Sequence, residues 1–447
     1  MKRSARAEPP IPAAGVLSRS LGTTDVVFLV VGMMVGSGVF VVPATTIRQT
    51  GGYAGTALLV WIVGGILSLL GALTYAELGA MKPQAGGLYV FIRDAFGPLP
   101  AFLYGWMLFF VMGSGILAAL AVATTDYVSR LVPLGRVGMQ LMPIVFIASL
   151  AAVNVIGTRR SARLTNMMTI AKVSVILVLA GACLSRGTMP QSASIWPQAV
   201  TPMVLSGFGA AMLGVLWSYE GWQWATFVVG ETVSPQRVFP RGMVLGTLLG
   251  VTVYVLANAG YVATLGPEAM SRSTAVAADA ARVRFGPAAG GVVAVLAILT
   301  IVGAANGLLL TVSRVFYAMA NDGLFFRKLA EIHPRYGTPA ASVVALAVVG
   351  MMLTVSGTFD QLLTYVVFTG WIFYALGGVS LFVFRHRDPE AARPFRVPGY
   401  PITPILFVLS AVAVVANTIV AQPGRAVVGL AVVAIGMPVY YAWRAWG

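Results

Sequence analysis

Two interrupted apolar runs decide the fold of this chain: Gly36-Ser37-Gly38 and Trp217-Ser218-Tyr219-Glu220-Gly221-Trp222. Each lies in the middle of a run long enough to cross a membrane, and they are about 180 residues apart. A helix interrupted at the middle of the bilayer leaves backbone N–H and C=O groups unpaired, which is tolerated where they line a cavity and bind a ligand. Two interruptions at matching places in two halves of a chain are typical of a secondary transporter's substrate site. The sequence therefore predicts a carrier of a small polar solute.

The composition is that of a protein embedded in a lipid bilayer. Of its 447 residues, 58% are hydrophobic and only 10% are charged, and the mean hydropathy is +0.87. A soluble globular protein has roughly a quarter of its residues charged. We assign the net charge of +15 to basic flanks of membrane helices, which meet anionic lipid, and not to binding of nucleic acid. The chain is therefore predicted to be an all-α polytopic membrane protein.

Apolar runs separated by turn residues predict twelve transmembrane helices. Their approximate bounds are 22–48, 55–79, 98–130, 137–157, 165–184, 203–230, 241–265, 288–320, 340–356, 360–384, 402–421 and 425–445. The two interrupted runs are the first and the sixth, and a repeated unit of five helices places its second copy upside down in the membrane. The expected organisation is a cytoplasmic N-terminal tail (1–20), a first five-helix repeat (21–184), a second inverted repeat (203–385) and helices 11 and 12 (400–447).

The distribution of Lys and Arg predicts the orientation. Twenty of the 29 basic residues fall in the N-terminal tail, in or near alternate loops (Arg314 near the end of its span), or at the C-terminus. Eight fall on the opposite side, and Lys172 is in the middle of a span. Because cytoplasmic loops carry the excess of positive charge, both termini are predicted to be cytoplasmic, in a multi-pass protein of the plasma (inner) membrane. Residues 1–20 lack the compact apolar core of a cleavable signal peptide, so the first helix is expected to direct insertion.

The first interruption has two interpretations. Gly32 and Gly36 form a small-xxx-small pair of the kind that packs helices together. That pairing explains neither the third glycine nor the serine in Val35-Gly36-Ser37-Gly38. The functional interpretation is an unwound segment whose free N–H groups, at the positive end of the following half-helix, hold a carboxylate.

Glu220 is the central residue of the second interruption. A carboxyl group in mid-membrane is costly unless it is paired or protonated, and it is a functional candidate by default. Tryptophans at this depth lie away from the interfaces where they usually concentrate. The alternative is a structural carboxyl that caps the second half-helix or ties two helices together. The substrate-binding candidates of this segment are Trp217, Ser218, Tyr219, Glu220, Gly221 and Trp222.

Lys172 is the only basic residue well inside a predicted span. Its ammonium group needs carbonyls or a carboxylate as partners there, unless the side chain snorkels to the surface. Two roles are open. The lysine is either a fixed cation that replaces a sodium ion near the first interruption, or a proton-binding site that couples transport to a pH gradient.

Three further polar residues lie in predicted spans. Ser114, between two glycines, and Asn306 are candidates for substrate contact, with helix bridging as the alternative. Glu231 is predicted to be a gate or a residue of the cytoplasmic mouth. No Ser-His-Asp arrangement, phosphate loop or metal-ligand spacing occurs within an apolar run, so neither an enzyme nor a metal or cofactor site is expected.

Six groups of residues occur in order along the chain. They are Val35–Phe40; Ala85–Tyr89 with Arg93–Gly97; Lys172; Tyr219–Trp222 with Gly230-Glu231 and Pro240-Arg241; Asn306-Gly307 with Ser313-Arg314 and His333-Pro334; and Arg393–Pro401. Together they resemble the amino acid–polyamine–organocation superfamily, and most closely the bacterial members of its L-type amino acid transporter branch. The resemblance covers almost the whole chain.

The resemblance implies a LeuT-like fold that works by alternating access on L-amino acids or related amines. It implies that Gly36–Gly38 holds the substrate carboxylate and that carbonyls around Trp217–Tyr219 hold its α-amine. Lys172 matches the lysine that stands where sodium-coupled relatives bind sodium. This match favours sodium-independent amino acid exchange or proton-coupled uptake.

Two features depart from the animal members of that branch. Their outer cysteine between spans 3 and 4, which bonds a heavy chain, has no counterpart around Leu131 to Arg136, so no heavy-chain disulfide partner is expected. Glu220 stands where relatives have small, neutral or acidic residues. A carboxylate there favours cationic amino acids or polyamines, although acidic residues also occur in relatives that resemble carriers of small neutral amino acids.

The alternatives are therefore a polyamine or cationic amino acid antiporter, and a membrane sensor that keeps the transporter fold but does not carry a solute. A sensor usually has an added soluble domain, and the non-membrane segments of this sequence are short. A channel is disfavoured because no polar stripe runs through successive spans.

Overall fold

The computed structural model describes residues 17–129, 132–185, 195–356, 359–421 and 423–446. This part of the chain is helical, with no strand beyond an isolated bridge between Leu21 and Thr232. The α-helices are α1 (Thr23–Met34), α2 (Gly38–Gln49), α3 (Ala54–Met81), α4 (Leu88–Phe96), α5 (Pro98–Met107), α6 (Gly113–Ser129), α7 (Arg136–Ile156), α8 (Thr158–Ser185), α9 (Pro202–Tyr219), α10 (Pro235–Arg272), α11 (Val276–Phe285), α12 (Ala289–Asn321), α13 (Ala340–Ser356), α14 (Phe359–Arg387), α15 (Ile402–Ala421) and α16 (Pro423–Trp446). A π-helical turn (Leu108–Met112) joins α5 to α6, and 3₁₀ segments occupy Trp222–Glu231 and Arg327–Ala330.

The membrane-spanning character predicted from the sequence is confirmed. Nine helical stretches of the described chain are long and apolar enough to cross a membrane, and the bent pair of α1 and α2 gives a tenth. α13 is a shorter apolar helix, and α14 lies where the tenth predicted span was expected. The count of twelve and the division into repeats stay predictions. Of the predicted N-terminal tail, residues 1–16 lie outside the described part.

Two helices occupy segments that the sequence analysis treated as connections. α4 precedes the predicted third span, and α11 lies between the predicted seventh and eighth spans. Each is short, with 9 and 10 residues respectively. Isolated helices of this length are marginal in water, so tertiary packing stabilises them more than their local sequence does. The buried alanines of α11, which packs on α10 and α12, are an example.

Helix packing places both interruptions in the interior. The first half of span 1, α1, adjoins the second half of span 6, the 3₁₀ segment Trp222–Glu231. The second half of span 1, α2, adjoins the first half of span 6, α9. α10 lies along α1, α2 and α3, and α8 packs on α1 and α12. Spans 1 and 6 therefore run side by side in opposite directions, as an inverted pair requires.

Candidate substrate site

The first interruption, between α1 and α2, bends the span by 48°. The amides of Ser37, Gly38 and Val39 make no backbone hydrogen bond within the described chain, as is usual at the start of a helix. A Cβ on Gly36 would have no neighbour closer than the Met34 carbonyl oxygen at 4.0 Å, so this position borders open space. The segment combines free N–H groups with room for an anion.

The second interruption depends on a glycine. α9 ends at Tyr219, and Glu220 is extended, with φ −63° and ψ 146°. Gly221 follows with a φ of +128°, a conformation that favours glycine. Its amide donates to Gln223 Oε1 at 3.0 Å. The second half of span 6 then continues as a 3₁₀ segment.

The two interruptions approach each other closely at two glycines, Gly38 and Gly221. A Cβ on Gly38 would lie 2.5 Å from Ser218 Oγ, and one on Gly221 would lie 2.6 Å from the Met33 carbonyl carbon. Side chains larger than hydrogen would therefore push the two segments apart. Gly38, Ser218 and Gly221, which the sequence singles out on separate spans, lie at one place in the fold.

Tyr254 of α10 bridges the two interruptions, and the sequence analysis did not single it out. Its hydroxyl lies 2.8 Å from the Met34 carbonyl oxygen and 2.8 Å from the Ser218 carbonyl oxygen. The ring stacks on Trp61 at 5.1 Å and is fully buried. A tyrosine hydroxyl has one proton to donate, so the two carbonyls share it. A buried tyrosine beside Gly250 is a weak sequence signal, because most buried tyrosines serve packing.

Lys172 binds the carboxyl end of α1. Its side chain is fully buried, and Nζ donates to the Gly32 carbonyl at 2.7 Å and to the Val35 carbonyl at 2.6 Å. The side chain does not snorkel to the surface. The ammonium group faces carbonyls at the negative end of a half-helix, where a cation is favourable. Lys172 is also not the only buried basic residue, since Arg314 is equally inaccessible.

Glu220 forms a hydrogen bond with Tyr374 of α14, in span 10. Its Oε1 accepts from the Tyr374 hydroxyl at 2.5 Å and from Gln223 Nε2 at 3.4 Å. Oε2 has no hydrogen-bond partner, and no cation pairs with the carboxylate, among the residues described. The side chain is partly exposed. It therefore presents one free carboxylate oxygen beside the second interruption.

The two tryptophans of the second interruption differ in their surroundings. Trp217 is 39% exposed, so its ring is not enclosed by neighbouring helices. Trp222 is 3% exposed and packs edge-on against Tyr75 and Phe407. The Tyr219 hydroxyl donates to the Trp61 carbonyl at 3.0 Å. The Trp222 and Tyr219 side chains thus serve packing, and the polar groups left at this segment are its backbone carbonyls and the Glu220 carboxylate.

Ser114 and Asn306 use their polar atoms in bonds that hold helices. Ser114 Oγ donates to the Phe109 carbonyl at 2.6 Å across the π-helical turn. Asn306 accepts from Asn154 Nδ2 at 2.9 Å, and its own Nδ2 donates to Ser161 and to Thr165 Oγ1. Asn306 thus connects α12 to α7 and α8, whereas Ser114 bonds within its own span. The substrate contacts expected of both residues stay predictions.

A buried ion pair joins the end of span 6 to α12. Glu231 Oε1 accepts from Arg314 Nε at 2.6 Å, and Thr158 Oγ1 bonds both partners, at 3.0 Å and 2.7 Å. The Glu231 carbonyl accepts the amides of Ser20 and Leu21. Glu231 thus joins the segment before α1 and the end of span 6 to α8 and α12.

An all-helical membrane chain whose two interrupted spans meet at its centre has the architecture of the LeuT-like secondary transporters. The chain belongs to the amino acid permease family, within the amino acid–polyamine–organocation superfamily: the family profile described as "Amino acid permease" matches residues 21–441. The membership predicted from the sequence is confirmed.

Several transporters match this chain almost end to end. The serine/threonine exchanger SteT of Bacillus subtilis (strain 168) is 30% identical, with 96% of this chain and 97% of the relative covered. The b(0,+)-type amino acid transporter 1 of Rattus norvegicus is 28% identical, with 92% and 85% covered. The human cystine/glutamate transporter is 29% identical, with 98% and 88% covered.

Proposed function

We propose that this protein carries L-amino acids across the plasma membrane, with the substrate held between the two interruptions. The main observation that supports this proposal is that two half-helix ends meet beside open space at Gly36. One end offers free amides and the other offers backbone carbonyls. These are the two kinds of group that an amino acid's carboxylate and ammonium require. The amino acid substrates in the names of the relatives support this choice.

In the proposed complex the α-carboxylate accepts from the amides of Ser37, Gly38 and Val39, at the positive end of α2. The α-ammonium donates to carbonyls at the end of α9, between Trp217 and Tyr219. The Ser218 carbonyl already accepts from Tyr254, but a carbonyl oxygen has a second lone pair for the substrate. Both charges of the zwitterion are thus met by backbone, which leaves the side chain of the substrate to other contacts.

The proposed transport is independent of sodium. Lys172 already supplies a positive charge to the carbonyls at the end of α1, which is the kind of oxygen site that a sodium ion occupies in a coupled carrier. Two modes remain open for the test below: amino acid exchange, for which the exchanger from Bacillus subtilis is a precedent among the relatives, and proton-coupled uptake.

The proposed inner gate is the pair of Glu231 and Arg314. Opening toward the cytoplasm requires α1 and the 3₁₀ segment to move away from α8 and α12. Glu231, the last residue of the 3₁₀ segment, bonds α8 and α12 through its carboxylate and the segment before α1 through its carbonyl oxygen. In this proposal both termini are cytoplasmic, and the pair parts only in the inward-open state.

A second candidate substrate class is favoured by Glu220. Its Oε2 atom has no partner among described residues, and a carboxylate at mid-depth is stabilised by a cation. Arginine, lysine or a polyamine would bring that cation. Serine or alanine would leave the carboxylate to Tyr374 and Gln223, which already bind Oε1.

Uptake by purified protein in proteoliposomes tests the proposal. A panel of labelled L-alanine, serine, leucine, glutamate, arginine and putrescine is offered in sodium-free buffer, with and without unlabelled amino acid inside and with and without an inward proton gradient. We expect uptake of at least one L-amino acid without sodium. Stimulation by internal amino acid identifies exchange, and stimulation by the gradient alone identifies proton coupling. No uptake of any amino acid, or a strict need for sodium, would overturn the proposal.

A further inference from the structure

Glu77 is a fully buried carboxylate near the inner end of α3 that the proposed function does not use. Arg385 of α14 binds it with two nitrogens, Nε to Oε1 at 2.9 Å and Nη2 to Oε2 at 2.7 Å. The Val397 amide donates to the same Oε2 at 2.6 Å, and Arg393 Nε lies 3.8 Å from Oε1. We name these four residues, Glu77, Arg385, Arg393 and Val397, the inner clasp.

The inner clasp folds the connection between α14 and α15 onto the end of α14. Arg393 donates to the carbonyls of Phe384 and Asp388 at the end of that helix. Arg385 lies over the ring of Tyr400 at 3.7 Å. The Glu77 carboxylate of span 2 therefore binds the end of span 10 through Arg385 and the connection that follows it through Arg393 and Val397.

A second attachment between the same two helices lies nearer the middle of the membrane. The Tyr75 hydroxyl of α3 donates to the Tyr374 carbonyl of α14 at 2.9 Å. A Cβ on Gly377 would lie 2.2 Å from that hydroxyl, so the close approach requires glycine there. Tyr374 and Arg385 are about three helical turns apart. Two levels of α14 are thus fixed to neighbouring residues of α3, Tyr75 and Glu77.

Both residues of the second attachment contact the second interruption. The Tyr75 ring packs edge-on against Trp222 at 5.3 Å, and the Tyr374 hydroxyl donates to Glu220 Oε1 at 2.5 Å. We infer that Glu77 is a positioning residue for the substrate site: by holding α14 against α3, it places Tyr374 on Glu220. The inference rests on the proposed function, because it assigns Glu77 an effect on substrate binding.

The chemistry of the clasp requires an ionised carboxylate. Glutamine at this position keeps one oxygen for Val397 but turns an NH₂ group toward the guanidinium donors of Arg385. The Arg385 side chain is 20% exposed, and a largely buried guanidinium that loses its anionic partner is unfavourable. The Glu77→Gln variant therefore releases the end of α14 while changing the size of the side chain very little.

The test is a double-mutant cycle on the KM of uptake, with Glu77→Gln and Tyr374→Phe made singly and together. If Glu77 acts through Tyr374, Glu77→Gln raises KM by roughly five- to tenfold in the wild-type background and by less than about twofold in the Tyr374→Phe background. Glu390→Gln is the matched control, because Glu390 lies in the same connection, is exposed, and has no ion pair within the described chain. It leaves KM unchanged.

Thermal unfolding and the yield of monodisperse protein separate positioning from folding. The inference is overturned if Glu77→Gln lowers only the amount of folded protein while KM is unchanged, or if its effect on KM is the same in both backgrounds. A wild-type protein that takes up no amino acid contradicts the proposed function instead, so the two failures are distinguishable.

Discussion

At the scale of single residues, the site consists of backbone groups held in place by a few buried side chains. Lys172 neutralises the carbonyl end of α1, and Tyr254 joins the end of α1 to the end of α9. Neither side chain is accessible to solvent. Both bind to main-chain oxygens that the interruptions leave without helical partners, so both maintain the unwound geometry.

The first prediction concerns Lys172. Lys172→Met keeps the length of the side chain but leaves the Gly32 and Val35 carbonyls without a donor, and each unsatisfied group costs about 1–3 kcal/mol. We expect lower thermal stability and loss of any response of uptake to a pH gradient. Lys328→Met, at an exposed position, is the control. A full pH response in Lys172→Met would remove the lysine from coupling.

The second prediction concerns Tyr254. Tyr254→Phe keeps the ring stacked on Trp61 but takes the donor from the Ser218 carbonyl, so the free energy of unfolding falls by about 1–3 kcal/mol. The expected effect is a lower affinity for substrate, because the ends of α1 and α9 lose their shared donor. It is measured as a rise in the KM of uptake. Unchanged KM with reduced stability would limit Tyr254 to packing.

At the scale of helices, span 6 shows which features the sequence can reveal. The position of its interruption follows from Glu220-Gly221 within an apolar run. The 3₁₀ form of its second half does not, because contacts distant in sequence determine it. Gly86 donates its amide to the Phe227 carbonyl at 3.0 Å, and a Cβ on Gly87 would lie 2.3 Å from the Thr226 carbonyl carbon. The local sequence pattern does not reveal such contacts.

The third prediction addresses the proposed inner gate between helices. Arg314→Lys keeps the charge but loses the planar donor arrangement that reaches Glu231 and Thr158 together. We expect the inward-open state to gain population. A cysteine at position 37, in a Cys183→Ala background, should then react several-fold faster with an impermeant thiol reagent inside vesicles.

Arg335→Lys is the control for replacing a guanidinium with an ammonium group, because Arg335 is exposed and lies in the connection before α13. It should leave the reaction rate of the cysteine at position 37 unchanged. Equal reactivity of the cysteine in Arg314→Lys and in the parent would exclude the pair as a gate.

At the scale of the whole molecule, apolar runs and interruptions predict the class of fold, and family membership agrees with it. The weaker predictions concern side chains that were judged by type alone. The substrate contacts of Asn306 and Ser114 rest on residue type alone and stay predictions; in the structure Asn306 bonds to α8 and Ser114 bonds the Phe109 carbonyl of its own span. The sequence does not identify Tyr254 or Arg314 as site residues, because only the assembled helices bring them to their partners. Tyr254 then lies against the interruptions, and Arg314 lies against Glu231.

The fourth prediction is the orientation of the chain, which so far depends on the count of basic residues. Single cysteines at Gly424 and at Glu390, both exposed, lie in connections on opposite sides of the membrane in the predicted topology. In intact cells an impermeant thiol reagent should label Gly424→Cys and spare Glu390→Cys, in a Cys183→Ala background. The reverse pattern would invert the topology and place the proposed gate on the outer side.

The most direct measurement of the central claim is amino acid uptake by Gly36→Ala. The added methyl group enters the open space between the interruptions and has no neighbour within van der Waals contact, whereas a substitution at Gly38 would collide with Ser218 and confuse blockage with misfolding. Gly209→Ala, also in open space but on α9, is the control. The account predicts a roughly tenfold or greater loss of uptake at unchanged thermal stability in Gly36→Ala alone. Normal uptake by folded Gly36→Ala would contradict it.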